Sequence, residues 1–164
     1  MMQLSVNEQT ITQSSLKIVR VVDGDGMIVR NIFDNKEFEI RFLGIDAPEL
    51  KLCKKLKQDE IETNLAAHFL IELGKKSFNY LLEIAPPNTN ISISTENNNV
   101  IDVYGRTLAY VYLLDGTCLN EIMVANGFAK PYDRFYCSEL PSYQSLNLIA
   151  KIERKGLYTF IDKF

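Results

Sequence analysis

The pattern of apolar and polar positions separates a strand-rich front of the chain from a remainder interrupted by helices. Leu16-Lys17-Ile18-Val19-Arg20-Val21-Val22 is rich in β-branched residues and runs into Asp23-Gly24-Asp25-Gly26, a strong turn signal. Met27-Ile28-Val29-Arg30-Asn31-Ile32-Phe33 follows, then the turn Asp34-Asn35-Lys36, then Glu37-Phe38-Glu39-Ile40-Arg41-Phe42. In this third run Phe38, Ile40 and Phe42 share one face, while Glu39 and Arg41 point the other way. Short turns between three such runs predict antiparallel neighbours.

From about Glu60 to Glu83 the period changes. Ile61, Leu65, Phe69 and Leu73 recur every four residues, Ala66 and Leu70 lie beside them, and Phe78, Leu81 and Leu82 continue the stripe, which predicts one long helix ended by Pro86-Pro87. Residues 90–101 read as one or two short strands broken by Glu96-Asn97-Asn98-Asn99, and residues 107–114 as a further strand bounded by Asp115-Gly116. Thr117 is placed to cap a short helix running to Asn126 and ended by Gly127. A last helix is expected between Ser138 and Lys155, ended by Gly156. About five strands with a helix inserted after the third fit an α+β, mainly β fold: a five-stranded Greek-key barrel of the OB type with about three helices, an architecture that recurrently binds oligonucleotides.

The 164 residues carry 18 Lys+Arg against 21 Asp+Glu, a formal net charge of −3. That size makes one domain, so residues 1–15 are read as a polar N-terminal arm and residues 16–164 as the domain. With 46% hydrophobic and 24% charged residues the chain is neither disordered nor membrane-spanning. The negative balance argues against a partner held by bulk charge, since phosphate neutralisation supplies most non-specific affinity for nucleic acid. Cys53, Cys118 and Cys137 are odd in number and widely spaced, which fits a reduced compartment and gives no zinc or dithiol motif. The polar N-terminus lacks an apolar run, so the expected location is cytoplasmic if the chain is full length and secreted or periplasmic if a leader has been removed.

Polar residues gather at strand ends in three places: Asp23-Gly24-Asp25-Gly26, Arg41 with Asp46-Ala47-Pro48-Glu49, and Asp102-Val103-Tyr104-Gly105-Arg106. Taken singly, these are a turn, a surface ion pair and a short loop. The single histidine, His68, sits between Ala67 and Phe69 in the helical stretch and is read as structural or solvent-facing. The run Lys51-Leu52-Cys53-Lys54-Lys55-Leu56-Lys57 is read as a solvated, flexible loop that could also steer a phosphate polymer.

Together, Val22-Asp23-Gly24-Asp25, Arg41-Phe42-Leu43-Gly44-Ile45-Asp46-Ala47-Pro48-Glu49 and Tyr104-Gly105-Arg106-Thr107-Leu108-Ala109-Tyr110-Val111-Tyr112 resemble the staphylococcal nuclease family in order and spacing. Leu119-Asn120-Glu121 and Asn126-Gly127-Phe128-Ala129-Lys130 are a weaker echo. The resemblance implies a calcium-dependent nuclease that hydrolyses phosphodiester bonds of DNA or RNA by water attack at phosphorus and leaves 3′-phosphate products. It makes Asp25, Asp46 and the backbone carbonyl of Ala47 the ligands of Ca²⁺, a hard cation that takes oxygen donors. It makes Arg41 and Arg106 the phosphate-binding arginines and Glu49 the general base. Tyr104 and Tyr132, with Lys54 and Lys55, become candidate substrate contacts, and Tyr136 is a further candidate for base stacking. The implied substrate is single-stranded or locally unpaired nucleic acid, handled by a monomer with no membrane association. Gly26 stands where the family often has Thr, which loosens the backbone near the carboxylates, and Val103 stands where the staphylococcal enzyme has Lys. The alternative reading is a binding module of the same fold that has lost its chemistry. Retention of Asp25, Arg41, Asp46, Glu49 and Arg106 favours the enzyme.

Overall fold

The computed structural model describes residues 10–164. Seven strands are present: β1 (Thr10–Asp23), β2 (Gly26–Asn31), β3 (Glu37–Phe42), β4 (Ile45–Asp46), β5 (Asn90–Glu96), β6 (Thr107–Leu113) and β7 (Lys130–Pro131). The four α-helices are α1 (Lys54–Thr63), α2 (Ala67–Ile84), α3 (Leu119–Ala125) and α4 (Leu140–Ile152), and a short 3₁₀ turn covers Gly156–Thr159. Five strands close into a barrel in the order β1-β2-β3-β6-β5, with β4 and β7 forming a two-stranded ribbon beside it. All barrel pairings are antiparallel except β3 with β6, which run parallel from Ile40↔Thr107 to Phe42↔Ala109. This is the mixed, mainly β barrel of OB type that the strand pattern predicts.

Alternation decides which side chains fill the barrel. Ile40 and Phe42 of β3 are buried in its core with Ile18, Met27, Val29, Ile93 and Val111, while Arg41 faces out of the barrel. A second apolar cluster lies under the helices, built from Leu56, Leu70, Leu73, Ala150, Leu157, Tyr158 and Phe164. No helix among the described residues is long and apolar enough to cross a membrane.

Four local expectations change. The first strand begins at Thr10, so six residues assigned to the polar arm join it and four of them, Thr10 to Gln13, pair with β5; residues 1–9 lie outside the described residues. The helix expected from Glu60 to Glu83 is two helices, because Asn64 adopts a left-handed φ of 59° that ends α1. As a result Ile61 leaves the predicted apolar stripe and is 83% exposed on α1, while Leu70 and Leu73 stay buried on α2. The lysine-rich run is not a loop throughout: α1 starts at Lys54, with the Cys53 sulfur accepting from the Leu56 amide at 3.4 Å. Thr117 does not cap α3, whose N-cap is Cys118 without a side-chain bond; the Thr117 amide instead donates to Asp115.

The long helix α2 is the floor on which two chemistry-bearing segments rest. A Cβ on Gly24, in the β1–β2 turn, would meet the Cβ atoms of Ala47 and Ser77 at 2.7 Å each. A Cβ on Gly74, mid-helix in α2, would collide with the Glu49 carbonyl and lie 2.8 Å from that of Pro48. Both glycines are therefore required by close approach, which locks residues 47–49 between the turn and the helix. Across the molecule, Glu96 at the end of β5 ties two loops together. Its carboxylate accepts from the Tyr110 hydroxyl (2.7 Å), the Ser138 amide (2.9 Å), the Ser138 hydroxyl (2.6 Å) and the Asn99 amide group (3.2 Å). Burial works against its charge, but these donors hold its carboxyl below the usual range.

Gly74→Ala is expected to destabilise the fold by about 1–3 kcal/mol through overpacking, although alanine is the better helix former by about 1 kcal/mol. Urea unfolding decides the sign, and a stabilised variant would mean that residues 48–49 yield freely. Glu96→Ala is expected to cost about 2–4 kcal/mol at pH 7 by leaving buried donors unpaired. Because the folded carboxyl is depressed, that stabilisation is present above the ordinary value of 4.5 and is lost as the pH falls through the folded one. The gap between wild type and variant should therefore close in acid, as read from unfolding midpoints across pH.

Candidate active site

Three chain segments meet at one side of the barrel around an open cleft of about 660 Å³. Its walls include Asp23 and Asp25 from the β1–β2 turn, Arg41 from β3, Glu49, Lys54 and Lys55 from the connection into α1, and Asp102, Tyr104 and Arg106 before β6. Tyr132 and Phe135 close the side next to β7. Asp46 and Ala47 lie directly behind this wall, buried.

Arg41 is the hub. Outward-facing on β3, it directs Nη1 to the carbonyls of Phe42 (3.1 Å) and Ile45 (2.9 Å) and lies 3.2 Å from Oδ2 of Asp25. Its Nη2 reaches Oδ1 of Asp46 at 3.3 Å. The two carboxylates thus flank one guanidinium whose side chain is 12% exposed. Oδ2 of Asp25 also accepts from the Ala47 amide at 2.8 Å, and its own amide donates to Asp23 Oδ1 at 3.1 Å. Burial, aided by the neighbouring Asp23 and opposed by Arg41, pushes the Asp25 carboxyl up to about 7. Burial works against the charge of Arg41 as well, but Asp25 and Asp46 raise its pKa above the ordinary arginine value.

Gly26 follows at the start of β2, paired with Asp23 on one side and Arg41 on the other. A Cβ there would lie 3.0 Å from Asp23 Oδ1, so the glycine makes room for the side chain that closes the turn. The backbone at this position is held in the sheet ladder, not loosened as its residue type alone predicts.

Glu49 stands at the cleft with its side chain 24% exposed, and burial moves its carboxyl above the usual range, against the pull of Lys55. Lys55 points into the acids: its Nζ lies 3.0 Å from Asp46 Oδ2, 3.4 Å from Glu49 Oε1 and 3.0 Å from Asp59 Oδ2. Lys54, one residue earlier, is exposed on the cleft wall. On the opposite wall, Asp102 accepts from the amides of Tyr104 and Arg106 at 2.9 Å each and from Arg106 Nε at 2.7 Å. The two Nη groups of Arg106 have no partner among the described residues.

Each arginine also lies near an aromatic ring, Arg41 5.8 Å from the centre of Tyr132 and Arg106 5.5 Å from that of Tyr104. Tyr132 is half-buried against Phe135, Tyr104 is 81% exposed, and Tyr136 is exposed but outside the cleft lining. Val103 is 92% exposed and brings no charge of its own to that wall. His68 is exposed on α2 and is not part of the cleft.

The donor set suits a hard divalent cation. Asp25 and Asp46 supply carboxylate oxygens on either side of Arg41, and the Ala47 carbonyl receives no hydrogen bond among the described residues. Among the described residues no three His, Cys, Asp or Glu side chains converge as a ready-made metal cage, so water and substrate oxygens would complete the shell.

Sequence reasoning names ten site residues, and the structure gathers eight of them at the cleft, with Asp46 and Ala47 behind it. It misses Asp23, which closes the β1–β2 turn, Asp102, which orients Arg106, and Asp59, which holds Lys55. The four-residue spacing of Lys55 and Asp59 was the available signal for the last.

A family model described as staphylococcal nuclease homologue matches residues 39–159. Endonuclease YhcR of Bacillus subtilis (strain 168) is 30% identical over 142 residues, 85% of this chain and 11% of that protein. Thermonuclease of Staphylococcus hyicus is 29% identical over 153 residues, covering 93% of this chain and 73% of its own. An uncharacterized endonuclease of Escherichia coli O157:H7 is 29% identical over 146 residues, covering 89% and 78%. The chain thus spans only a small part of the first relative and most of the other two. With the match covering well over half of the chain, including all four α-helices and strands β5 and β6, the chain belongs to the family of staphylococcal nuclease homologues.

Proposed function

We propose that the protein is a calcium-dependent nuclease that hydrolyses DNA or RNA phosphodiesters by water attack at phosphorus and leaves 3′-phosphate ends. The observation that carries this reading is the single cleft onto which Asp25, Arg41, Glu49 and Arg106 converge from three separate segments. The names of the relatives, endonuclease and thermonuclease, support the reaction class.

In this reading Asp25, Asp46 and the Ala47 carbonyl hold Ca²⁺, which supplies Lewis-acid polarisation of the phosphate. Arg106 binds the non-bridging oxygens through its two unpartnered Nη groups, with Asp102 fixing the plane of the guanidinium through Nε. Arg41, spent on carbonyls and carboxylates, acts as a fixed positive charge beside the phosphate. Glu49 accepts a proton from the attacking water; the new P–O bond forms as the bond to the 5′ oxygen breaks, and that oxygen takes its proton from solvent water as it leaves. Tyr104 and Tyr132 stack on unpaired bases, which selects single-stranded or locally open substrate, and Lys54 attracts the backbone. The protein acts as a monomer.

One observation favours the alternative of a catalytically weak module. The Nη groups of Arg41 are occupied by the protein itself, which takes one of the two expected phosphate-binding forks out of play.

Incubation with end-labelled single-stranded DNA in millimolar Ca²⁺ is expected to give fragments with 3′-phosphate ends, and chelation should abolish cleavage. Intact substrate at every calcium concentration would leave only the binding module. Glu49→Gln and Arg106→Lys are each expected to lower kcat about 10²–10³-fold in a folded protein, since each removes a group that acts in the transition state. Full activity of the glutamine variant, measured alongside its circular dichroism, would take Glu49 out of the mechanism.

A further inference from the structure

Two cations sit among the carboxylates of the site, and they are held in different ways. The Arg41 guanidinium is anchored to two backbone carbonyls as well as to Asp25 and Asp46, so it is part of the framework. The Lys55 ammonium has only carboxylate partners, those of Asp46, Glu49 and Asp59, and its side chain is 31% exposed. The contact with Asp59 is a hydrogen bond, and those with Asp46 and Glu49 are ion pairs. Two of those partners, Asp46 and Glu49, are the proposed ligand and the proposed base. The third, Asp59, lies one turn further along the same helix and accepts a hydrogen bond from the ammonium at 3.0 Å.

We infer that Lys55 is a tethered counter-ion that covers Asp46, one ligand of the divalent-cation site, in the metal-free protein and yields it when the cation arrives. The inference rests on the metal-dependent reading above. An ammonium 3.0 Å from Asp46 Oδ2 neutralises a carboxylate that would otherwise lie buried beside Asp25 with Arg41 alone to offset both. A divalent cation brings the same service with twice the charge, and the two cations repel at that range. Lys55 then turns toward the cleft, which it already lines, retained by Asp59. Its departure also frees the Glu49 oxygen 3.4 Å away, so cation arrival and release of the base become one event. The length and flexibility of the lysine stem permit this, whereas the planar, carbonyl-bound fork of Arg41 does not.

Two measurements test the exchange without reference to cleavage. Acetylation of the intact protein by a water-soluble succinimide ester, read by mass spectrometry, should modify Lys55 slowly in chelator and several-fold faster in saturating Ca²⁺, with Lys36 in the β2–β3 turn unchanged as the control. Lys55→Met should bind Ca²⁺ roughly tenfold more tightly in calorimetry, because a competing charge has been removed. If the variant fails to fold, the labelling of the wild-type protein decides alone. Calcium binding with unchanged Lys55 labelling and equal affinity in the variant would overturn the role of Lys55 and leave the metal reading intact. Absence of calcium binding in both proteins would overturn the metal reading and this inference with it.

Discussion

The arrangement of the site depends on one buried guanidinium. Arg41 projects outward from β3 because its neighbours Ile40 and Phe42 project inward, and the turn that follows brings Asp46 back alongside it. Two carboxylates and a guanidinium withdrawn from water carry a desolvation cost that their mutual attraction only partly offsets. The remaining stabilisation comes from neutral dipoles: the carbonyls of Phe42 and Ile45 accept from Arg41, and the Ala47 amide donates to Asp25. The raised pKa of Asp25 reports the imbalance that is left. A site that cannot comfortably hold its own negative charge is one that a cation improves, so the strain of the cluster and its proposed chemistry have a common origin.

Rigidity around that cluster is built by packing, and on the far rim by hydrogen bonds. Gly24 and Gly74 let the β1–β2 turn, residues 47–49 and α2 approach backbone to backbone, so Asp25 and Glu49 are placed by one floor. Buried Asn120 accepts from the Val111 amide and donates to the carbonyls of Leu43 and Ala109, stitching α3 to the point where β3 and β6 part. Glu96 binds Asn99 and Ser138, while Asn99 also donates to the Tyr136 carbonyl. The loop that carries Arg106 and the loop that carries Tyr132 are therefore coupled through a group that touches neither. Loss of Glu96 would widen the cleft as well as weaken the fold.

How much of this could be read without coordinates follows from the range of the interactions. Strands with a clear period of two, such as β3, appear as expected, because burial on one face is written in consecutive residues. Residues 54–59 do not, since the start of the helix there depends on the Cys53 cap and on Lys55 meeting Asp46, a partner the period cannot display. The break at Asn64 is likewise a backbone event hidden within an unbroken apolar stripe, and it turns Ile61 outward. Among the site residues, the types and spacings point to Asp25, Arg41, Asp46, Glu49 and Arg106. What they cannot show is how the hydrogen bonds are allotted. Arg41 and Arg106 are equivalent on paper; in the fold one is consumed by backbone carbonyls and the other keeps its fork open.

That allotment bears on the acidic character of the chain. A net charge of −3 disfavours a polyanion only if the charge is spread evenly, and it is not. Asp25, Asp46, Glu49 and Asp59 share two cations, Arg41 and Lys55, while Lys54, Arg106 and Arg134 line the outer cleft, so the acids gather at its base behind a rim of cations. A phosphodiester reaching the base of the cleft unaided would meet more carboxylates than cations. A divalent cation removes the deficit locally, and the phosphate in turn supplies oxygens that the protein lacks for a full shell. Each ligand then raises the affinity of the other by the same factor, as linkage requires. On the proposed reading the acidity of the chain does not exclude nucleic acid, because the cation and the phosphate would each favour the other's binding.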